Sequence, residues 1–314
     1  MAGIMDSVDQ RTTLAGTNRM ELLLFQLAGP QLFGINVFKV REVIPVPRLV
    51  QLPKAHPVVA GVCYIRDRTV AVLDMAMATS GRGLEDRSGA SVIVTEYSRS
   101  VQGFMVRAVD RIVNVNWQDI QPPPGDWSTS AYLTGVTRVD NRLVQILDVE
   151  KVMDEINQAG GVGSLPGAET IAPSEQAGDW HVLVADDSSV ARRQIRDTVE
   201  QLALECTVVN DGQEALDTLR AWADDPENSP WNRLLMLLSD VEMPRMDGYT
   251  VTTEIRRDER LKGTYVLLHS SLSGMFNQDL VKQVGADDFL AKFAAGELAE
   301  RVQSRLESVQ SASG

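Results

Sequence analysis

Short apolar runs separated by turn-forming residues dominate the first half of the chain. Gly, Pro, Asp and Asn lie between the runs, and helical periodicity is nearly absent, which is typical of an antiparallel sandwich or barrel. The pattern therefore predicts an all-β part up to residue 158. Its clearest strands are Leu22 to Leu27, Leu32 to Val37, Val70 to Leu73, Val92 to Thr95, Phe104 to Val106 and Leu143 to Leu147.

An internal repeat indicates that this part contains two similar β-subdomains. Residues 61–74 align with residues 135–148, and six of the fourteen positions agree. In each copy a polar turn, at Asp67 or Asn141, joins two apolar segments, as in a β-hairpin. Two related hairpins are therefore expected.

The second half alternates between short strand-like runs and amphipathic helical stretches. Residues 181–185 have the composition of a strand, and residues 189–204 have a helical period with Ile195, Val199 and Leu202 on one face. A last amphipathic helix ends this part of the chain. Such alternation predicts a parallel sheet with helices packed against it.

A segment rich in Gly, Ala, Ser and Pro separates the two parts. Residues 159–179 contain neither a helical nor a strand period, which is typical of a flexible linker. The sequence therefore predicts an N-terminal tail (1–18), a β domain (19–158), this linker, and an α/β domain (180–314).

Composition and charge exclude several classes of function. The 314 residues include 30 Lys and Arg against 43 Asp and Glu, a net charge of −13, and only 5% aromatic residues, so no nucleic-acid surface is expected. Two cysteines in apolar contexts suit reduced thiols in the cytosol, and three scattered histidines do not suggest a zinc site. The chain has neither an apolar signal segment nor a run long enough to cross a bilayer, so we expect a soluble, intracellular protein.

Acidic side chains follow two strands of the predicted parallel sheet. Asp186 and Asp187 come directly after one strand, and Asp240 follows the apolar run 234–238. Because the carboxyl ends of parallel strands gather at one edge, where ligands bind, we expect the three carboxylates to converge and to be reachable from solvent. At an effective dielectric near 20, two unit charges about 4 Å apart repel by roughly 4 kcal/mol. The cluster therefore needs raised pKa values or a cation, and Mg²⁺ suits its oxygen ligands.

A hydroxyl and an ammonium group follow two further strand-like runs. Ser270 comes after residues 266–268, and Lys292 comes after residues 289–291. With a metal and carboxylates they suit a phosphoryl group, because the metal and the ammonium neutralise its charge and the hydroxyl contacts an oxygen. An Asp pair alone is more often a helix N-cap beside a solvated charge. The four motifs in this order instead indicate an aspartyl phosphate.

Residues 180–310 resemble a two-component receiver domain, through VLVADDSS, LLSDVEMPRMDG, VLLHSS and FLAKF. The resemblance implies a (βα)5 flavodoxin-like fold in which Asp240 is the phosphoacceptor. It also implies that Asp186, Asp187 and Asp240 hold Mg²⁺ together with the backbone carbonyl of Glu242. The long interval between the acidic motifs implies an insertion around residues 224–231, away from the chemistry.

The same resemblance assigns the residues that respond to the phosphoryl group. Ser270 is implied as the switch hydroxyl, Phe289 as the aromatic residue that follows it inward, and Lys292 as the phosphate contact. The chain has Phe293 where the family usually has proline, and Phe289 carries no phenol oxygen. Any movement of this aromatic residue therefore depends on packing alone.

Residues 19–156 resemble the CheW-like coupling domain of bacterial chemotaxis, through ELLLFQL, VFKVREVIP and the Leu-Asp pairs that end both repeats. This resemblance implies two SH3-like five-stranded barrels. Arg66 lies in a predicted hairpin turn, where it either contacts a partner or is simply solvated.

A CheW-like domain followed by a receiver is the arrangement of CheV-type coupling proteins. It implies a cytoplasmic scaffold, recruited to receptor arrays at the inner membrane without inserting into it, that couples the cytoplasmic tip of methyl-accepting chemoreceptors to a CheA-type histidine kinase. Phosphorylation of Asp240 is implied to modulate this coupling, either for adaptation or as a phosphate sink, with no substrate turnover.

An enzyme is the alternative from another class. A metal-dependent aspartyl-phosphate phosphatase acting on a small phosphorylated substrate also uses carboxylates and a metal. Such enzymes usually place nucleophile and acid two residues apart on one strand, whereas the acidic partners of Asp240 lie on a distant strand.

Overall fold

The computed structural model describes residues 19–97, 100–123, 132–158, 179–270, 281–291 and 295–313. The described residues fall into two compact units that meet in sequence between Gly167 and Ala168. The predicted tail and all but the last residue of the predicted linker lie outside the described residues.

The first unit consists mainly of strands. Its described strands are β1 (Arg19–Gln26), β2 (Leu32–Asn36), β3 (Val40–Pro45), β4 (Val59–Ile65), β5 (Arg68–Asp74), β6 (Ser91–Tyr97), β7 (Ser100–Val106), β8 (Ala108–Asn116), β9 (Leu133–Val139) and β10 (Arg142–Leu147). Two helices, α1 (Met75–Ser80) and α2 (Val149–Gln158), each follow a hairpin. The sequence pattern missed both helices, because each begins at the Leu-Asp pair where a strand ends and a polar cap takes over.

Two five-stranded sheets form this unit, with the orders β8-β1-β2-β10-β9 and β3-β6-β7-β5-β4. Each contains one parallel pair, β10 with β2 and β5 with β7, and the other neighbours are antiparallel. The pattern is the same in both sheets, so the structure confirms the internal repeat. One sheet consists of the consecutive strands β3 to β7, and the other joins β1 and β2 to β8, β9 and β10.

Each sheet is closed by a short bridge beyond its edge strand. Val50, downstream of β3, pairs with Val62 of β4, and Gln121, downstream of β8, pairs with Val136 of β9. Both bridges have two N–H to O=C hydrogen bonds of 2.8 Å. These contacts join the two edges of each sheet, as expected of a small barrel.

The second unit is a parallel α/β fold. Its described strands are β11 (His181–Ala185), β12 (Glu205–Val209), β13 (Leu234–Asp240), β14 (Val266–Ser270) and β15 (Asp288–Ala291). They form one parallel sheet in the order β12-β11-β13-β14-β15. The helices of this unit whose bounds are described are α3 (Ser189–Gln201), α4 (Gly212–Asp224), α5 (Gly248–Arg257) and α6 (Ala295–Ser313).

Both faces of this parallel sheet are covered. Every residue of β11 is buried, as expected of a strand with helices on both sides, and two separate apolar cores lie on the two faces. A 3-10 turn at Pro230–Arg233 leads into β13, so the predicted insertion lies at the opposite end of that strand from Asp240. No helix in the described part of the chain has the length and apolar character needed to span a bilayer.

Candidate functional site

The carboxyl ends of three neighbouring strands bring polar side chains to one edge of the parallel sheet. The register pairs Ala185, the last residue of β11, with Ser239, and it pairs Asp240 with His269. Ser270 in turn pairs with Ala291, the last residue of β15. The strands therefore end at nearly the same level, as the sequence predicted for this edge.

Three carboxylates come together there. Asp186, Asp187 and Asp240 each offer one oxygen atom, and these atoms all lie within 4.8 Å of one another. Asp186 and Asp240 are completely buried, whereas Asp187 is partly exposed. The burial of Asp240 differs from the expected position open to solvent. Asp240 ends the central strand of the sheet, β13, and the neighbouring strands β11 and β14 flank it.

Asp186 is held by the start of α3 and by the neighbouring strand. Its Oδ1 accepts a hydrogen bond from the backbone N–H of Ser188 over 2.7 Å, and Arg192 donates to its carbonyl oxygen over 2.7 Å. Nε2 of the buried His269 lies 3.5 Å from its Oδ2. The Ser188 hydroxyl caps the helix by accepting from Ala191 N–H. The cap is therefore a serine, and the Asp pair does not have the simple capping role that it has in most sequences.

The donor set suits Mg²⁺. All three candidate ligands are carboxylate oxygens, which this hard cation prefers, and they are near enough to share one ion. Three negative charges at this separation repel strongly in a buried setting, and a divalent cation offsets that repulsion. Asp186, Asp187 and Asp240 therefore fit a magnesium ion.

The loop after β13 lies directly against this cluster. Val241 N–H donates to the carbonyl of His269, and Gly248 N–H donates to the carbonyl of Val241 over 2.9 Å. A Cβ added at Gly248 would lie 2.3 Å from the carbonyl oxygen of Asp240. Burial, and then the negative charges of Glu242, Asp247 and Asp240, raise the pKa of Tyr249 on α5, so the acidic field extends to this helix.

The three predicted response residues have different positions. Ser270 is completely buried at the end of β14. Phe289 is half-buried and packs against the core that includes Leu268 and Tyr249. Lys292 lies outside the described residues, directly after the end of β15.

Two side chains near the cluster were not assigned to it by sequence reasoning. His269 lies at the same sheet edge because it directly precedes Ser270, the last residue of β14. Arg192 reaches the cluster because it lies one helical turn beyond Ser188, where the chain passes the cluster again. The sequence signal for Arg192 was its position four residues after Ser188, which places both residues on the same face of the predicted helix.

Arg66 lies in the first unit, in the turn between β4 and β5. Arg66 and Asp67 both have positive φ, of 43° and 67°, as in the two-residue turn that the sequence predicted. Its guanidinium forms two contacts with Glu42 of β3, at 3.1 and 3.2 Å. The side chain is 61% exposed and lines an open groove with Arg41, Arg68 and four other residues.

Two protein families match the chain. The CheW-like domain family matches residues 21–157, and the response regulator receiver domain family matches residues 182–303. Each matched range lies within one of the two structural units.

Three curated relatives illustrate the similarity. Chemotaxis protein CheV3 of Helicobacter pylori is 28% identical over 304 residues, which cover 92% of this chain and 96% of CheV3. Chemotaxis protein CheV1 of the same organism is 26% identical over 326 residues, which cover 98% and 99% of the two chains. Chemotaxis protein CheW of Klebsiella aerogenes is 28% identical over 149 residues, which cover 46% of this chain and 89% of CheW. These matches give the phosphatase alternative no support.

Proposed function

The chain contains a CheW-like domain followed by a response regulator receiver domain, the CheV-type arrangement, and from this premise we propose that it is a chemotaxis coupling adaptor controlled by phosphorylation of Asp240. Its first unit binds the cytoplasmic tip of a methyl-accepting chemoreceptor and a CheA-type histidine kinase. This role places the chain in the cytoplasm, at the receptor arrays of the inner membrane.

The convergence of three carboxylates at one sheet edge is the observation that supports control by phosphorylation. Asp186, Asp187 and Asp240 offer oxygen atoms within 4.8 Å of one another. In the proposed reaction the bond between phosphorus and the histidine nitrogen of the kinase breaks, and a bond forms to a carboxylate oxygen of Asp240. The three carboxylates and the carbonyl of Glu242 would hold a Mg²⁺ ion, which would neutralise negative charge during this transfer.

Access to Asp240 is part of the proposal. Because Asp240 is completely buried and Asp187 is the partly exposed member of the cluster, we expect the phosphodonor to approach from the side of Asp187. The new phosphoryl group adds about −1.5 to −2 charges at this edge. Lys292 and the Ser270 hydroxyl then contact it, and Phe289 repacks as Ser270 moves.

Substitution of the phosphoacceptor is the direct test. Asp240→Asn removes the nucleophilic oxygen, so incubation with radiolabelled kinase should transfer no phosphate to the full chain. Asp217→Asn on the exposed face of α4 is the matched control and should be labelled like the wild type. Label on the Asp240→Asn protein would place the phosphoacceptor elsewhere.

Reconstitution tests the coupling role. Kinase activity is measured with receptor and full chain, before and after phosphorylation, for the wild type and Asp240→Asn. We expect the phosphodonor to change kinase activity only with the wild type. The same change with both proteins would show that phosphorylation of Asp240 does not control kinase activity.

Arg66 is proposed as part of the partner surface, because it is exposed beside a groove that carries two further arginines, Arg41 and Arg68. Arg66→Ala should weaken receptor or kinase binding at least severalfold in a pull-down with the full chain. Arg257→Ala, on the exposed face of α5, is the control for loss of one surface charge. Equal binding by both variants would remove Arg66 from the interface.

Turnover separates the adaptor from an enzyme. The adaptor should incorporate about one phosphate per chain and lose it slowly. Repeated release of phosphate from a small phosphate ester, sensitive to Asp240→Asn, would favour a phosphatase instead.

A further inference from the structure

Arg245 adopts an unfavourable backbone conformation in the loop between β13 and α5. Its φ is 61°, and the N–H of Met246 donates to the carbonyl of Pro244 over 2.6 Å, so Arg245 is the central residue of a γ-turn. A positive φ is costly for a residue with a Cβ atom. Contacts outside the turn must therefore stabilise it.

The guanidinium of Arg245 supplies these contacts. Its Nε donates to Oδ2 of Asp211 over 2.5 Å, and its Nη2 donates to Oε1 of Glu214 over 2.8 Å and also contacts Asp211. Asp211 is almost completely buried and caps α4, since its Oδ1 accepts from the N–H of Glu214. Arg245 therefore ties the loop after β13 to the first turn of α4.

A second contact reinforces this tie. A Cβ added at Gly212 would lie 2.3 Å from the carbonyl oxygen of Met246, so the loop lies directly on the start of α4. The hydrogen bond from Gly248 N–H to the carbonyl of Val241 closes the loop at its base. The base is thus held by the sheet, and the tip is held by α4.

We propose that Arg245 is a positioning residue for the cation at the acidic cluster, an inference that rests on the proposed function. The loop that it ties to α4 begins directly after Asp240 and carries Glu242. Without the tie, the γ-turn relaxes and the loop leaves α4. The carbonyl of Glu242 and the end of β13 then lose the fixed geometry that Mg²⁺ demands.

The sign of the effect distinguishes positioning from simple electrostatics. Loss of the Arg245 charge leaves Asp211 and Glu214 uncompensated, and this added negative potential attracts a cation more strongly. Loss of positioning has the opposite effect and weakens Mg²⁺ binding. Weaker binding on removal of a positive charge is therefore the signature of the proposed role.

Calorimetric titration of the full chain with Mg²⁺ is the primary test. Arg245→Ala should raise the Kd for Mg²⁺ about tenfold, which is the lower end of the loss seen when a residue that supports the metal ligands is replaced. Arg245→Lys retains the charge but not the fork of donors, so its Kd should lie between the two. Arg257→Ala is the matched control, because Arg257 is exposed and pairs only with nearby Glu254 among the contacts described, and it should bind like the wild type.

Two further measurements separate positioning from general damage. Asp211→Asn keeps a capping oxygen but loses the ionic contact, so it should weaken Mg²⁺ binding, and combining it with Arg245→Ala should add little because both remove the same tie. With acetyl phosphate as donor, Arg245→Ala should raise the half-saturating Mg²⁺ concentration about tenfold. The phosphorylation rate at saturating Mg²⁺ should stay near that of the wild type.

Arg245→Gly protects the test against a folding defect, because glycine accepts a positive φ without a tie. It should bind Mg²⁺ as weakly as Arg245→Ala, and in both metal-free variants the Gly248 amide should exchange its hydrogen faster than in the wild type. Wild-type or tighter affinity in the alanine and glycine variants would overturn the proposal. A wild-type chain that binds no Mg²⁺ would instead overturn the proposed function itself.

Discussion

Position 248 admits only glycine, because the backbone there touches the carbonyl oxygen of Asp240. An added Cβ would lie 2.3 Å from that oxygen and 3.1 Å from Cδ2 of Leu268. Gly248→Ala should therefore push α5 away from β13, lowering the free energy of unfolding by about 1–3 kcal/mol and slowing phosphorylation of Asp240. Urea unfolding and radiolabel transfer measure the two effects.

Gly263 provides the control for this substitution. An added Cβ at Gly263 meets no atom within 4 Å, so Gly263→Ala should change the free energy of unfolding by no more than about 0.5 kcal/mol. Equal effects at the two positions would show that the close approach at Gly248 has no cost.

His181 makes the stability of the second unit depend on pH. Burial lowers its pKa, with an opposing contribution from Glu205, and its Nε2 lies 2.9 Å from the hydroxyl of Thr207. The unfolded chain takes up a proton as the pH falls below about 6.5, whereas the folded chain resists it until a lower pH. The contribution of neutral His181 to the free energy of unfolding is therefore complete above a pH of about 6.5 and decreases as the pH falls.

His181→Gln should reduce the loss of thermal stability between pH 7.5 and pH 5.5, because it removes this proton uptake. Calorimetry of the full chain measures the shift in the transition of the second unit. His56→Gln, in a loop of the first unit, should leave that transition and its pH dependence unchanged. A wild-type slope in His181→Gln would mean that other groups control the acid response.

At the scale of elements, an aspartate connects each repeated hairpin to a helix. Asp74 ends β5 and caps α1: its Oδ1 accepts from the N–H groups of Ala76 and Met77, and its Oδ2 accepts from Leu84 N–H over 2.9 Å. Asp148 has the same place before α2 and accepts from Lys151 N–H over 3.0 Å. The last residue of the sequence repeat is thus a structural cap in both copies.

Asp74→Ala should lower the free energy of unfolding of the first unit by about 2–4 kcal/mol, since three N–H groups lose their acceptor inside the protein. Denaturant unfolding followed on the first unit measures the loss. Asp86 is an exposed residue whose Oδ1 accepts from the N–H of nearby Ser88, so Asp86→Ala should have an effect below about 1 kcal/mol. Similar losses for the two variants would contradict the role assigned to Asp74.

At the scale of the whole molecule, each unit has its own hydrophobic cores. Two clusters of buried residues draw all their members from residues 20–156, and two others draw theirs from residues 180–309. Each unit therefore buries enough apolar surface to fold by itself.

Calorimetry of the full chain should accordingly show two unfolding transitions. Fragments 19–158 and 180–314 should reproduce them separately. Mg²⁺ should raise only the transition of the second unit, by about 2.7 kcal/mol in stability at a hundredfold excess over its Kd. A single transition, or a shift of the first unit by Mg²⁺, would contradict the independence of the units.

Local pattern was sufficient to predict most elements and their class. The predicted strand 32–37 corresponds to β2, the strand 234–238 to β13, and the helix 189–204 to α3, with differences of a few residues at their ends. These predictions held because periodicity depends on which face of an element is buried. The short helices α1 and α2 were missed because a capping aspartate, rather than a long apolar stripe, begins each one.

The sequence alone determined the two fold classes, the internal repeat and the identity of the acidic residues, because hydrophobic period and motif order are local properties of the chain. Only the tertiary structure decided what those residues meet: the complete burial of Asp240, the contact of His269 with Asp186, and the tie from Arg245 to α4. Each depends on strands and loops that are distant in sequence and adjacent in space, and no local pattern specifies such a distance.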